Sequence, residues 1–226
     1  MTDAALEASA ASAPRTPSSI SGAILAGGTS QRLGRDKRLL PVDGVPLLAR
    51  TAATLRPLVD DLRVIVADAA DTALVRSTVG DDVEVDVDAG SGIGPAAGLE
   101  VALAGARHDH VVVVATDHPA LAAEVLTLLI TRAHASDADA IALEGRYGGE
   151  PFLAVYRRRA LPRIRAAIAD GERRMQALLA MLEPEVVAQA TWRAADPSGR
   201  TLTDVDTPDD LDGFGSLDGT VGGGLS

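Results

Sequence analysis

Cysteine is absent from this 226-residue chain, lysine occurs once, and aromatic residues make up only 2% of it. Without cysteine there can be no disulfide, no thiolate metal site and no cysteine nucleophile. A formal net charge of −11 argues against binding to nucleic acid or to anionic membranes, because both need a basic face. No apolar run approaches the ~20 residues of a membrane span, so we expect no membrane contact and a cytoplasmic protein.

The composition otherwise supports a globular fold, with 46% hydrophobic and 23% charged residues. Strand-like runs rich in Val and Ile alternate with amphipathic helical stretches, an order typical of parallel sheets covered by helices. The predicted strands are 21–26, 62–67, 83–87, 110–116 and 138–143, and the predicted helices 46–58, 70–79, 95–106 and 120–135. The pattern predicts a three-layer α/β/α, Rossmann-like fold with a mainly parallel sheet.

The rhythm changes after residue 144. The segment 150–157 predicts an antiparallel strand, and 160–182 predicts two short helices broken at Asp170-Gly171. A strand over 185–192 and a short strand leading into a helix over 202–211 would follow. Small polar residues predict a disordered leader over 1–19, and a glycine-rich tail over 213–226 is expected to be flexible.

A glycine pair, Gly27-Gly28, follows the first predicted strand, where backbone amides can approach a ligand closely. The cations behind it would form an anion-binding cradle; they are Arg32, Arg35, Lys37 and Arg38. The segment matches neither the Walker A pattern nor the G-x-G-x-x-G fingerprint. A turn followed by a solvated basic face is the structural alternative. Retention of one lysine in an arginine-rich chain favours a ligand role, since a compact ammonium can follow a moving phosphoryl group.

Acidic residues follow other strands. Asp117 ends the strand 110–116 and is expected to bind Mg²⁺ or, alternatively, to cap the next helix. Asp204 and Asp206 would share one face of a strand, and one of them is a candidate second metal ligand, with Asp206 preferred. His118 is expected to face solvent, because neutral imidazole suits Mg²⁺ poorly. Asp88 and the following glycine loop are a candidate pocket for a flat base.

The run "LAGGTSQRLGRDK" (25–37) resembles the signature of the MobA-like nucleotidyltransferases, L-A-G-G-x-S-x-R-[ML]-G-x-D-K. Further similar segments are "GPAAG" (94–98), Asp117-His118-Pro119 and "TDVDTPDDL" (203–211). The resemblance implies that Leu25, Ala26, Gly27 and Gly28 hold base and ribose, and that Arg32 and Lys37 grip the triphosphate and are catalytic. It implies metal binding by Asp117, and Asp88 could accept from a guanine amino group.

The segment "DGERRMQALL" (170–179) is most similar to the family branch that transfers GMP from Mg-GTP to molybdopterin with release of pyrophosphate. That resemblance implies acceptor binding by Arg173 and Arg174, and it divides one domain (20–212) into a nucleotide-binding part (20–143) and an acceptor-binding part (144–212). Transient contact with molybdoenzymes or their chaperones is a further expectation.

One position departs from the family pattern: Ala67 stands where many members have an asparagine. Three alternatives therefore stay open. They are cytidylyl transfer to the same acceptor, nucleotidyl transfer to another phosphorylated small molecule, and a non-catalytic nucleotide-binding module.

Overall fold

The computed structural model describes residues 19–27, 36–88 and 94–205. Most of the predicted leader, the predicted tail, Gly28, Arg32, Arg35 and Asp206 lie outside these ranges. Strands and helices are numbered separately in chain order. The strands are β1 (Ile20–Leu25), β2 (Pro41–Val42), β3 (Val45–Pro46), β4 (Asp61–Val66), β5 (Glu84–Val87), β6 (His110–Ala115), β7 (Ala140–Gly145), β8 (Gly148–Arg157) and β9 (Glu185–Val187). The helices are α1 (Leu47–Leu55), α2 (Thr72–Val79), α3 (Pro95–Gly105), α4 (Ala123–Ala135), α5 (Leu161–Ala169), α6 (Met175–Ala180) and α7 (Gln189–Ala195).

Seven strands form one sheet in the order β5-β4-β1-β6-β8-β7-β9. The pairs β5–β4, β4–β1, β1–β6 and β7–β9 are parallel, whereas β8 is antiparallel to both β6 and β7. The predicted mainly parallel sheet with one antiparallel strand is therefore confirmed. The run of valines over 111–114 is buried on both faces of the sheet, as expected for a central strand.

Helices cover both faces and bury two hydrophobic clusters. On one face Leu48 of α1, Val75 of α2 and Leu126 of α4 form one cluster with alternate residues of β1, β4 and β6. On the other face Leu99 of α3 and Ile164 of α5 pack against the residues between them. Small and medium aliphatic side chains fill both layers, which is how a chain with few aromatics builds its core. No helix within the described ranges is both long and apolar enough to span a bilayer.

The structure differs from the predicted elements in three places. The strand predicted over 185–192 ends at Val187, and helix α7 follows, anchored by Trp192, whose indole Nε1 donates to the Glu144 carbonyl at 3.1 Å. Residues 203–205 are not a strand; the remainder of the predicted 202–211 element lies outside the described residues. A two-residue hairpin, β2–β3, was not predicted. Its turn residues Asp43 and Gly44 have φ of 51° and 76°, as a type I′ turn requires.

Candidate active site

The carboxyl ends of the parallel strands meet at one edge of the sheet, and the candidate site residues follow those ends. Gly27 comes after β1, Asp88 directly after β5, and Asp117 after β6. The chain leaves β1 toward β4 and β5 on one side and returns to β6 on the other. The strand order therefore reverses between β1 and β6, and open α/β sheets bind ligands at such a reversal.

Lys37 and Asp117 contact each other at this point. The Lys37 Nζ lies 3.1 Å from Asp117 Oδ2, and the two side chains are 14% and 30% exposed. Lys37 is the first residue of a short 3₁₀ turn. Asp36 caps this turn, and its carboxylate accepts from the Arg38 backbone amide. On the other side, the Asp117 carbonyl accepts from the Val205 amide at 3.0 Å, which holds the C-terminal segment beside it. A cation and a carboxylate thus share a partly open position beyond β1 and β6.

Asp88 is buried at the same edge of the sheet as this pair, in a recess bordered by Gly27 and Gly98. It is 7% exposed, and burial raises the pKa of its carboxyl above the ordinary value. Two glycines line the recess: a Cβ at Gly27 would lie 3.6 Å from Asp88 Oδ2 and 3.3 Å from the Cβ of Ala67, and a Cβ at Gly98 would lie 4.0 Å from the same oxygen. Within the described ranges, no side chain or amide donates a hydrogen bond to this carboxylate. The recess presents a desolvated acceptor beside two glycines, whose missing side chains let the backbone of β1 and α3 pack closely around it.

Arg38 is the cradle cation whose role the structure changes. Its guanidinium is buried and donates to the Asp36 carboxylate at 2.7 Å and to Asp71 Oδ2 at 2.7 Å. These two carboxylates raise the Arg38 pKa, and the hydrogen bond from Arg38 lowers the pKa of Asp36. The prediction that Arg38 faces an anion is wrong, because its donors are already used to fasten the 3₁₀ turn to the start of α2.

His118 is buried rather than solvent-facing, so that prediction is also wrong. It is 6% exposed, its Nε2 lies 3.7 Å from Asp117 Oδ1, and neither ring nitrogen has a hydrogen-bond partner among the described residues. Its placement depends on β8, which the sequence does not reveal as its neighbour.

Glu150 is a site residue that the sequence reasoning missed. The β6–β8 register pairs Val114 with Leu153, and extending it by three residues brings Glu150 opposite Asp117. Burial raises the pKa of Glu150, and the charges of Asp117 and Asp204 act in the same direction. A glutamate directly before the proline of the otherwise apolar segment 151–156 was the available signal.

The family is shown by comparison with known proteins. The family description "MobA-like NTP transferase domain" matches residues 22–187. The chain belongs to this family. Among the relatives, a probable molybdenum cofactor guanylyltransferase of Chloroflexus aggregans is 34% identical over 198 residues, covering 85% of this chain and 91% of its own length. A molybdenum cofactor guanylyltransferase of Pseudomonas putida (strain GB-1) is 38% identical over 159 residues, covering 69% and 80%.

A solved structure supports the same assignment. The molybdopterin-guanine dinucleotide biosynthesis protein A of Archaeoglobus fulgidus matches with a TM-score of 0.74 and 26% identity, covering 86% of this chain and 96% of that one. The resemblance stated from the sequence is therefore confirmed, and the chain is a MobA-like nucleotidyltransferase. The candidate site brings together Lys37 of the segment 25–37 and Asp117 of the segment 117–119, and their roles stay predictions.

The residues predicted to bind the acceptor of this MobA-like protein lie between α5 and α6 and already have partners. Arg174 forms an ion pair with Glu172 at 2.8 Å, and this contact holds the Glu172 pKa at about 2. Arg173 donates to the carbonyls of Ile168 and Glu172 at 2.6 and 2.9 Å. An acceptor phosphate would have to compete with these contacts, so the role of both arginines stays a prediction.

The metal that the family implies can be tested against the donors present. No group of three or more His, Asp or Glu side chains in the described ranges is arranged to hold a metal ion by itself. Mg²⁺ in phosphoryl-transfer sites usually needs only one or two carboxylates, with phosphate oxygens and water completing its shell. The partly exposed carboxylate of Asp117, with Glu150 and Asp204 adding negative charge nearby, fits that requirement.

Proposed function

We propose that this chain transfers GMP from Mg-GTP to the terminal phosphate of molybdopterin and releases pyrophosphate, as a molybdenum cofactor guanylyltransferase. The observation that carries the proposal is the Lys37–Asp117 contact at the strand-order reversal. It brings a phosphate-binding cation and a metal-binding carboxylate to one point. The names of the relatives from Chloroflexus aggregans and Pseudomonas putida support the choice of acceptor and nucleotide.

Asp88 supports guanine as the base. The Watson–Crick edge of guanine carries two adjacent donors, N1–H and the 2-amino group, that can donate side by side to one carboxylate. Cytosine presents only one amino donor beside an acceptor nitrogen, so a desolvated carboxylate would face a lone pair. The glycines at 27 and 98 place no side chain of their own beside this carboxylate.

The chemistry follows from the charges. The acceptor phosphate is largely ionised at pH 7, since phosphate monoesters have a second pKa near ~6, and it needs no general base. It attacks the α-phosphorus in line: a new P–O bond forms, the bond to the β-phosphate oxygen breaks, and pyrophosphate leaves with the electron pair. Lys37 orients the triphosphate and stabilises the negative charge that grows on it in the transition state.

Mg²⁺, when bound, would neutralise charge on the α-phosphate and on the leaving pyrophosphate. Asp117 would hold it. The proposal also assigns Arg32 to the triphosphate, Gly28 to the nucleotide and Asp206 to the metal, three residues outside the described ranges. Action in the cytoplasm is part of the same proposal.

The test is a transfer assay with molybdopterin and each of the four ribonucleoside triphosphates in turn, with Mg²⁺. Pyrophosphate release is followed continuously, and the dinucleotide product is identified by mass. GTP-dependent formation of a guanine dinucleotide supports the proposal. A cytosine dinucleotide would identify the sister activity, and GTP binding without product in a single-turnover experiment would leave only a binding module.

A further inference from the structure

The turn between β7 and β8 presents an exposed aromatic residue. Tyr147 is 78% exposed, far more than any other large hydrophobic side chain in the described part of the chain. The guanidinium carbon of Arg146 lies 5.2 Å from the centre of its ring, within the range of a cation–π contact. Among the other aromatic residues that the structure describes, Trp192 and Tyr156 are buried and Phe152 is partly buried, so the exposure of Tyr147 requires an explanation.

The position of the turn relates it to the active site. Since β8 is antiparallel to both β6 and β7, β7 runs in the same direction as β6, and its end lies at the same edge of the sheet as Asp117. Only β8 separates the two strands, so β7 lies two strand spacings, or roughly 10 Å, to the side of β6. The turn extends about four residues, or roughly 13 Å, beyond the level at which β6 ends. Seen along this edge, Asp88 follows β5, Asp117 follows β6, and the Arg146-Tyr147 turn comes next.

The backbone of the turn is held in place. The Gln176 side-chain amide donates to the Tyr147 carbonyl at 3.2 Å and to the Gly149 carbonyl at 2.9 Å. Gln176 is in the first turn of α6, immediately after the predicted acceptor-binding segment. An exposed tyrosine on a fixed backbone can bind a flat ring at little cost in conformational entropy, because it has only two side-chain torsions to order.

Charge distinguishes Arg146 from its neighbours. Arg173 and Arg174 are engaged with carbonyls and with Glu172, as described above. No carboxylate within the described ranges lies at ion-pair distance from Arg146, whose contact is with the face of Tyr147. The turn therefore presents a flat aromatic ring together with a cation that is not neutralised by a nearby acid.

We propose that Arg146 and Tyr147 form a stacking platform for the conjugated ring system of the acceptor, which lies on Tyr147 with its phosphate directed toward Lys37 and Asp117. This inference rests on the proposed function and adds the residues that select a flat, electron-rich ring over other phosphorylated small molecules. Stacking on an aromatic side chain tolerates variation at the ring edge, and Arg146 adds a cation–π contribution.

The experiment compares Tyr147→Ala and Tyr147→Phe, with Leu74→Ala as the control. Leu74 is a half-exposed apolar residue of α2. Equilibrium binding of molybdopterin and the KM for each substrate are measured for the full chain. We expect Tyr147→Ala to weaken molybdopterin binding and raise its KM roughly ten-fold. The GTP KM and the kcat at saturating acceptor should stay within about two-fold. Tyr147→Phe should bind as the wild type does, because the ring is retained.

Each other outcome has a definite meaning. Equal molybdopterin affinity of Tyr147→Ala and Leu74→Ala would overturn the inference while leaving the transfer reaction intact. Binding of molybdopterin that depends on Tyr147, without transfer of GMP, would support the platform and refute the proposed reaction. A wild-type chain that does not bind molybdopterin at all would refute both.

Discussion

Lys37 Nζ and Asp117 Oδ2 lie 3.1 Å apart although 80 positions separate the two residues in the chain. The contact exists because β1 and β6 are parallel neighbours, so the segments that follow them leave the sheet side by side. In the presence of ligands, Lys37 would contact the triphosphate and Asp117 would contact Mg²⁺, so each side chain would exchange its present partner for another opposite charge. We therefore interpret the pair as the two halves of a phosphate- and metal-binding site.

Replacement of Lys37 tests this interpretation most directly. We expect Lys37→Ala to lower kcat/KM for GTP by about 10²–10³-fold or more, since a preorganised positive group at the triphosphate is lost. The fold should survive, because a partly exposed ion pair contributes only about 0–1 kcal/mol to the free energy of unfolding. Arg76→Ala, which removes an exposed cation of α2, is the matched control. Near-normal activity of Lys37→Ala would refute the proposed role of Lys37 in the reaction.

Arg38 should behave in the opposite way to its neighbour. Arg38→Met removes a buried guanidinium that donates to Asp36 and Asp71, and we expect it to lower the free energy of unfolding by about 2–3 kcal/mol. Activity per folded molecule should fall much less than in Lys37→Ala. Chemical denaturation and kinetics on the same preparation measure both quantities. If Arg38→Met lost activity but kept its stability, Arg38 would instead be an anion-binding residue.

The pH dependence of that stability difference has a defined sign. The Arg38 hydrogen bond lowers the pKa of Asp36 in the folded state below its ordinary value of 3.8. The Asp36 contribution is therefore fully present above the unfolded-state pKa and is lost as the pH falls through the lower, folded-state pKa. The gap in unfolding free energy between wild type and Arg38→Met should accordingly narrow below about pH 4. A gap that stays constant down to pH 2 would contradict this.

Asp88→Asn tests the choice of base. The amide puts a donor where guanine needs a second acceptor, so we expect kcat/KM for GTP to fall about 10- to 100-fold, while the preference over CTP declines. Competition between the two triphosphates in one reaction measures this preference. An unchanged ratio would show that another residue selects the base.

The burial of Asp88 also predicts that this residue lowers the free energy of unfolding at neutral pH. Burial raises its folded-state pKa above the ordinary 3.8, so the ionised form destabilises the fold at neutral pH. Its unfavourable contribution is complete above the folded-state pKa and vanishes as the pH falls below the unfolded-state value. We expect Asp88→Asn to be more stable than the wild type at pH 7, with the difference disappearing near pH 3, as measured by thermal unfolding across that range.

Gly98→Ala tests whether the recess beside Asp88 affects GTP affinity independently of the stability of the fold. The added Cβ would lie 3.3 Å from Leu25 Cδ2 and 4.0 Å from Asp88 Oδ2, and so would press on Leu25 and crowd the carboxylate that is proposed to bind the base. Alanine in a helix interior is favoured over glycine by about 1 kcal/mol, which offsets the close contact with Leu25. We expect a change in unfolding free energy below about 1 kcal/mol with a roughly ten-fold weaker GTP affinity, measured by calorimetry. An unaltered GTP affinity would show that the base does not bind beside Gly98.

The elements that were predicted well are those whose local pattern has one reading. The valines over 111–114 are apolar on both faces, as a central strand requires, and Asp117 was correctly placed beyond the carboxyl end of that strand. The segment 185–192 was predicted as a strand throughout, but only 185–187 pair with the sheet, and the helix that follows buries Trp192, whose indole donates to the Glu144 carbonyl. Local periodicity over so few residues does not distinguish these outcomes.

The amino-acid sequence by itself determined the layered α/β architecture, the glycine recess and the lysine and aspartate of the site, since strand burial, glycine placement and the family signature are all local. Only the tertiary structure decided which of the charged and polar residues around these positions have structural partners and which lie at the candidate site. Arg38 became structural because Asp71 reaches it across 33 positions. His118 and Glu150 joined the site because β8 inserts antiparallel beside β6. Hydrogen bonding and desolvation depend on neighbours that are distant in the chain, and only the packed strands define which neighbours those are.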